Sequence, residues 1–224
     1  LEGFLTHAGQ SYAGPTEDEE PAEALERVAA DERDRLLFAA RQLLEEDVIT
    51  RETAESLELS LGSTPTMAAF ENRTDGPLSI TEVRPGNYVF HDAMQVALGS
   101  AALEDCALTV LGTVTSKHRQ GPRDRVILDA GKKIFTTDTG YGTHGYGTVL
   151  YNAGAMRPHP HAVLAQLSEE HGWLFAPGGS TLHIGDRVRI VPNHACITAG
   201  IQNNLYLVDG DEVLEKIPVA ARAY

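Results

Sequence analysis

The sequence predicts an α/β unit followed by a β-rich unit, and two observations carry the prediction. Through the first hundred residues the apolar patterns read strand, helix, strand, helix, strand, the order of a parallel sheet with crossover helices. From about residue 104 the texture changes to short β-branched runs punctuated by glycine and proline. The expected units are 1–103 and 104–224. With 224 residues and 42% hydrophobic content, the chain is long and apolar enough to build a core in each.

Leu1 to Leu5 reads as a strand already under way, leading into a loop at Thr6-His-Ala-Gly9. Thr16 is a plausible N-cap, and the carboxylates of Glu17 to Glu20 suit the positive end of a helix. Leu25, Val28, Ala29, Leu36, Leu37, Ala40, Leu43, Leu44 and Val48 follow at helical spacing, so a long amphipathic helix is expected over roughly residues 17–47. Leu57 to Leu61 alternates as a strand and runs into Gly62-Ser-Thr-Pro-Thr66, and a short helix is expected from Met67 to Glu71. Ile80 to Val83 is a further strand. In the second half, Leu108–Thr115, Arg125–Leu128, Val149–Tyr151, Arg187–Val191 and Leu205–Val208 are strand candidates, and Asp209-Gly210 signals a hairpin.

Composition narrows the function. A net charge of −14 and a pI near 5.0 argue against nucleic acid and anionic membrane as partners. Two cysteines, Cys106 and Cys196, suggest no disulfide framework and fit a reducing, cytoplasmic setting. No apolar run approaches the roughly 20 residues of a membrane span.

The chemistry-bearing residues are few. His194-Ala-Cys196 lies in a β-branched run, and in an extended segment residues i and i+2 share a face. Imidazole and thiolate would then reach one ion, and nitrogen plus sulfur suits zinc at roughly 2.0 and 2.3 Å. Two ligands leave coordination positions for water or substrate. The spacing equally fits a satisfied polar residue beside a buried thiol. Gly62-Ser63-Thr64 opens a helix at a strand end, where free N–H groups receive an anion such as phosphate; an ordinary capped turn is the alternative. His7 and Tyr12 follow a strand end, where barrel enzymes keep functional loops; a loop histidine and a packing tyrosine are the alternative. His159-Pro-His161 has no acidic or thiol neighbour, Cys106 reads as a buried thiol, and Leu167 to Gly172 as surface.

Five runs occur in order: Thr6-His-Ala-Gly-Gln-Ser-Tyr12, Leu61-Gly-Ser-Thr-Pro-Thr66, Glu82 to Phe90, Leu167-Ser-Glu-Glu-His-Gly172 and Val191-Pro-Asn-His-Ala-Cys196. Jointly, across nearly the whole chain, they resemble the D-serine dehydratase / D-threonine aldolase family of pyridoxal-phosphate enzymes on the alanine-racemase-type barrel. The resemblance implies the C-terminal half of a (β/α)8 barrel followed by a β-rich domain. It implies His194 and Cys196 as ligands of a metal, zinc by preference. It implies Tyr12, Gly62, Ser63 and Thr64 as contacts of pyridoxal 5'-phosphate, a small D-amino acid as substrate, and a homodimer for the intact enzyme. Leu5 departs from relatives that carry a tyrosine there. The family's Schiff-base lysine lies upstream of these motifs, and none of Lys117, Lys132, Lys133 or Lys216 matches its position. The expectation is therefore the C-terminal part of a lyase that makes pyruvate and ammonia from D-serine. The alternatives are an aldolase that makes glycine and an aldehyde, or a truncated, inactive, metal-binding product.

Overall fold

The computed structural model describes residues 1–220, which fall into two units: residues 1–88 with 98–100, and residues 89–97 with 101–220. The segment 89–97, inside the 1–103 unit expected from sequence, groups with the second unit. Backbone hydrogen bonds hold it there: Ala107 N–H donates to Phe90 O (2.7 Å) and Met94 N–H to Asn193 O (3.3 Å).

In the first unit, β1 (Gly3–Leu5), α1 (Pro21–Glu45), α2 (Arg51–Glu55), β2 (Glu58–Leu61), α3 (Thr64–Met67) and β3 (Glu82–Val83) follow one another. The three strands form one parallel sheet in the order β1-β2-β3, with Phe4 opposite Leu59 and Ser60 opposite Glu82. An α/β unit is thus present, but as an open three-stranded sheet, so the half barrel expected from sequence is not seen as such. Helix α1 lays Leu36, Leu37 and Ala40 against Leu57, Leu59 and Leu61 of the β2 region, with Leu78 and Ile80 completing the cluster. Burying each leucine contributes about 1.5–3 kcal/mol.

Two helix boundaries differ from expectation. Helix α1 begins at Pro21, capped by a Glu20–Glu23 capping box, and not at Glu17 after a Thr16 cap. Proline needs no N–H partner at the first helical position, and the Glu19 carboxylate folds back onto the Thr16 N–H (3.1 Å) and the Arg27 guanidinium (2.7 Å). Helix α3 begins at Thr64, three residues before the expected Met67, because the proline of Thr64-Pro65 fits a first turn.

The second unit contains α4 (Ala93–Ala97), β4 (Val110–Gln120), β5 (Arg123–Leu128), β6 (Gly147–Asn152), β7 (Arg157–Pro158), β8 (Val163–Leu167), β9 (Gly172–Pro177), β10 (Arg187–Pro192), α5 (Ala195–Gly200), β11 (Asn204–Asp209) and β12 (Glu212–Pro218). Strands β4 to β10 form one antiparallel sheet in the order β7-β6-β10-β4-β5-β9-β8. Inward residues alternate along the strands, and Val114, Val126, Leu128, Phe135, Leu164, Leu174 and Ile190 meet in one core. The expected hairpin at Asp209-Gly210 joins β11 to β12, with Gly210 at φ 57°, a value that favours glycine. Sequence reading missed β8 and β9. No helix among the described residues is long and apolar enough to cross a membrane.

One buried ionic knot pins the loop before β10. Asp124, 2% exposed, accepts hydrogen bonds from the N–H groups of Gly179 (3.1 Å) and Ser180 (3.0 Å) and pairs with Lys117 (3.2 Å). Burial works to raise its pKa, but the hydrogen bonds of Lys117 and Ser180 and the Lys117 charge outweigh that and hold it below the usual carboxylate value. A carboxylate with a depressed folded-state pKa stabilises above its unfolded value and loses that contribution as pH falls through the folded one. Asp124→Asn is therefore expected to lower the urea midpoint at pH 7. The gap to the wild type should narrow at acid pH, below about 4; a gap that is equal at both pH values would contradict this account.

Candidate functional site

The first unit brings the loops after its three strands together at one end of the sheet, where parallel α/β sheets hold ligands. The loop after β1 forms a short 3-10 turn, Gly9–Ala13, carrying Ser11 and Tyr12. The loop after β2 carries Gly62, Ser63 and Thr64. The two meet through a Ser11 Oγ to Ser63 Oγ hydrogen bond (3.2 Å) and through His7 Nδ1 against Gly62 O (3.2 Å). The loop after β3 joins them, with the Asn87 N–H donating to Thr64 Oγ1 (2.9 Å).

The four expected cofactor contacts are not equivalent. Gly62 sits at φ 120°, and an added Cβ would come within 3.0 Å of Met67 Cε, so glycine is required there. Its N–H is already taken by Glu32 Oε1 (3.3 Å), which also accepts from Thr6 Oγ1 (2.8 Å). Ser63 and Thr64 are buried, and neither backbone N–H has a partner among the described residues. Buried, unpaired N–H groups are costly unless a ligand satisfies them. An anion at this turn thus fits Ser63 and Thr64, with Gly62 supplying the bend.

The second unit brings His194 and Cys196 together, but not in the extended geometry that their spacing suggested. His194 is the extended N-cap of α5 (φ −133°, ψ 101°), and Cys196 lies in the helix's first turn. The reason is Asp92. This carboxylate, fully buried, accepts the Ala195 N–H (2.8 Å) and the Gln95 N–H (3.0 Å), drawing the chain into a helical turn straight after His194. Asn193, 1% exposed, braces the other side, donating to the carbonyls of Asp138 (2.9 Å) and Gly145 (2.8 Å).

The hydrogen bond with Cys196 raises the His194 pKa to about 9; burial opposes the rise, and the Asp138 carboxylate adds to it. Asp138 Oδ2 lies 2.6 Å from His194 Nδ1, which leaves Nε2 as the nitrogen available for another partner. An imidazole held through Nδ1 beside an exposed cysteine suits a nitrogen–sulfur metal site. Among the described residues, no group of three or more His, Cys, Asp or Glu side chains could hold a metal ion, so the pair His194 and Cys196 stands without a third such ligand there. Asp92, Asp138 and Asn193 were not found from the sequence.

The other candidates do not assemble. Cys106 is 4% exposed, and burial, aided by Asp92, Asp105 and Glu104, pushes its thiol up to about 12. His159 Nδ1 bonds Pro160 O (2.9 Å) and His161 sits at φ 63°, and among the described residues neither belongs to a group of three or more metal-ligating side chains. Lys117 is held by Ser180 O (2.6 Å), Leu182 O (2.9 Å) and Asp124, and Lys133 pairs with Glu170.

A parallel α/β unit and an antiparallel β unit carrying a braced His-x-Cys turn define the class of protein that comparison with known proteins then specifies. A family profile described as "Putative serine dehydratase domain" matches residues 107–208. D-threo-3-hydroxyaspartate dehydratase of Delftia sp. (strain HT23) is 38% identical over 212 residues, 88% of this chain and 50% of that protein. D-serine dehydratase of Dictyostelium discoideum is 28% identical over 218 residues, 94% of this chain and 51% of that protein. Among solved structures, a cysteine-to-alanine mutant of D-threo-3-hydroxyaspartate dehydratase in the metal-free form superposes with a TM-score of 0.79 at 32% identity, covering 99% of this chain and 56% of that one. A histidine-to-alanine mutant of the same enzyme, altered two positions earlier, gives 0.78 at 32% identity, covering 99% and 55%. Residues 107–208 thus match that domain family, and the chain is similar along most of its length to these dehydratases. It spans about half the length of the curated relatives it matches.

Asn193→Ala would leave the carbonyls of Asp138 and Gly145 without their donor. The expected loss of stability is about 1–3 kcal/mol by chemical denaturation, and an unchanged midpoint would show that the brace is dispensable.

Proposed function

We propose that the chain is the metal-binding and phosphate-binding part of a lyase acting on β-hydroxy D-amino acids. Residues 1–103 would belong to the later part of an alanine-racemase-type barrel, and residues 104–224 to its C-terminal β domain. The observation that carries the proposal is the His194–Cys196 turn, with Asp138 on the imidazole's far nitrogen. The metal-free relative supports it, because its altered cysteine follows the altered histidine by the same two-residue spacing.

When bound, pyridoxal 5'-phosphate withdraws electrons from the substrate's Cα, and a metal polarises its β-hydroxyl. The chain's own residues do the holding. Ser63 and Thr64 offer their buried N–H groups to the cofactor phosphate, Gly62 shapes the turn, and Tyr12 lies next to Ser11, which touches Ser63. His194 and Cys196 hold the metal, and thiolate with imidazole favours zinc over harder ions. None of the four lysines is placed as the Schiff-base residue, so we assign that group to the remainder of the intact protein. With both cysteines unpaired, a reducing cytoplasmic location is our reading.

Metal analysis of variants tests the site. Cys196→Ala should lose bound zinc, whereas Cys106→Ala should retain wild-type stoichiometry; equal zinc in both would remove Cys196 from the site. Product analysis of the full-length protein tests the reaction. D-serine should yield pyruvate and ammonia, and D-threo-3-hydroxyaspartate should likewise release ammonia. Glycine and acetaldehyde from D-threonine, with no ammonia from either acid, would establish the aldolase instead.

A further inference from the structure

Asp138 has a different kind of partner from the two buried aspartates of the second unit, Asp92 and Asp124. Asp92 is occupied by two backbone N–H groups, and Asp124 by Lys117 and Ser180. Asp138 alone among the three faces a ring nitrogen, at 2.6 Å from His194 Nδ1. Its placement is fixed twice over. The side chain of Asn193, the residue before His194, donates to the Asp138 carbonyl (2.9 Å), and the Asp138 N–H donates to Thr136 Oγ1 (3.0 Å). The same two neighbours are thus joined through backbone and through side chain, which leaves the imidazole little freedom to turn.

We propose that Asp138 is a positioning residue for metal capture. By accepting the proton on Nδ1 of His194, it fixes the tautomer and ring orientation that present Nε2 to an ion. A neutral imidazole carries one proton on two nitrogens, and a carboxylate at Nδ1 decides which nitrogen keeps it. Stability of the fold does not account for the contact. Asp138 is 46% exposed and His194 30%, and ion pairs that exposed contribute little to folding. The inference rests on the metal reading of His194 and Cys196.

Cobalt(II) titration of the chain, followed by the cysteine-to-cobalt charge-transfer band and by competition with zinc, tests it without turnover. The wild type should take up one equivalent. Asp138→Ala should melt at the wild-type temperature, keep the sulfur band at saturation and bind about 10- to 100-fold more weakly. Asp138→Asn keeps an oxygen that can accept the Nδ1 proton, and its affinity should fall between the two. In nitrogen-15 spectra of the zinc-loaded chain, the His194 Nδ1 proton should exchange slowly in the wild type and rapidly in Asp138→Ala. Wild-type affinity in both variants would overturn the positioning role and leave the metal site standing. No uptake by the wild type, even in large metal excess, would overturn the metal reading and this inference with it. If Asp138→Ala fails to fold, the comparison of Asp138→Asn with wild type decides, and equal affinities refute the proposal.

Discussion

The candidate metal turn depends on one buried carboxylate. Asp92 accepts the N–H of Ala195 at 2.8 Å and of Gln95 at 3.0 Å, so it serves the start of α5 and the start of α4 at once. A fully buried carboxylate is costly unless its oxygens are satisfied, and two backbone N–H groups near helix starts supply that. The consequence lies one residue away. Because the Ala195 N–H is held, the backbone turns helical immediately after His194. The side chains of His194 and Cys196 then come together across a helix start, where the sequence suggested a strand. Met94 N–H on Asn193 O and Asn193 Nδ2 on two carbonyls hold the preceding residue from further sides. The turn is preorganised by residues that touch no ligand.

The first unit uses the same device. Glu32, 4% exposed on α1, accepts from Thr6 after β1 and from Gly62 after β2 through a single oxygen, Oε1. A carboxylate projecting from the covering helix thereby ties two strand-end loops that would otherwise move separately. It also leaves Gly62 to shape the turn with its N–H held by the Glu32 carboxylate. Of the three residues expected at a phosphate, Gly62 thus has its N–H engaged, whereas those of Ser63 and Thr64, both buried, have no partner among the described residues.

What could be read from the sequence follows from how local each determinant is. Helix α1 was legible because its apolar positions repeat at helical spacing over 25 residues. The β11–β12 turn was legible because Asp-Gly forces it. Strands β8 and β9 were not. Their alternation is short, and their partners are set by pairing with β5, whose Arg125 lies opposite Phe175, fifty residues on. The start of α1 was misplaced because a run of four acids resembles a first turn, yet Glu19 is drawn back to Thr16 and Arg27. The site divides in the same way. His194 and Cys196 stood out by residue type and spacing. Asp92 lies 103 positions from Ala195, and Asp138 lies 56 from His194. No spacing rule connects them, and only the folded chain does.

That division has a chemical reason. A metal that must accept a substrate hydroxyl cannot be enclosed by protein ligands, so few side chains touch it. Two ligands alone define neither a tautomer nor a direction of approach. The missing definition has to come from groups behind the ligands: a carboxylate on the far nitrogen, and amides and carboxylates that fix the backbone. Cys106 makes the contrast plain. It is a thiol of the same type, near Asp92 and Asp105, yet burial pushes it up to about 12. What separates Cys196 from Cys106 is exposure and a braced histidine nearby. A ligand pair is therefore legible in a sequence, whereas its competence depends on residues that only the fold brings behind it.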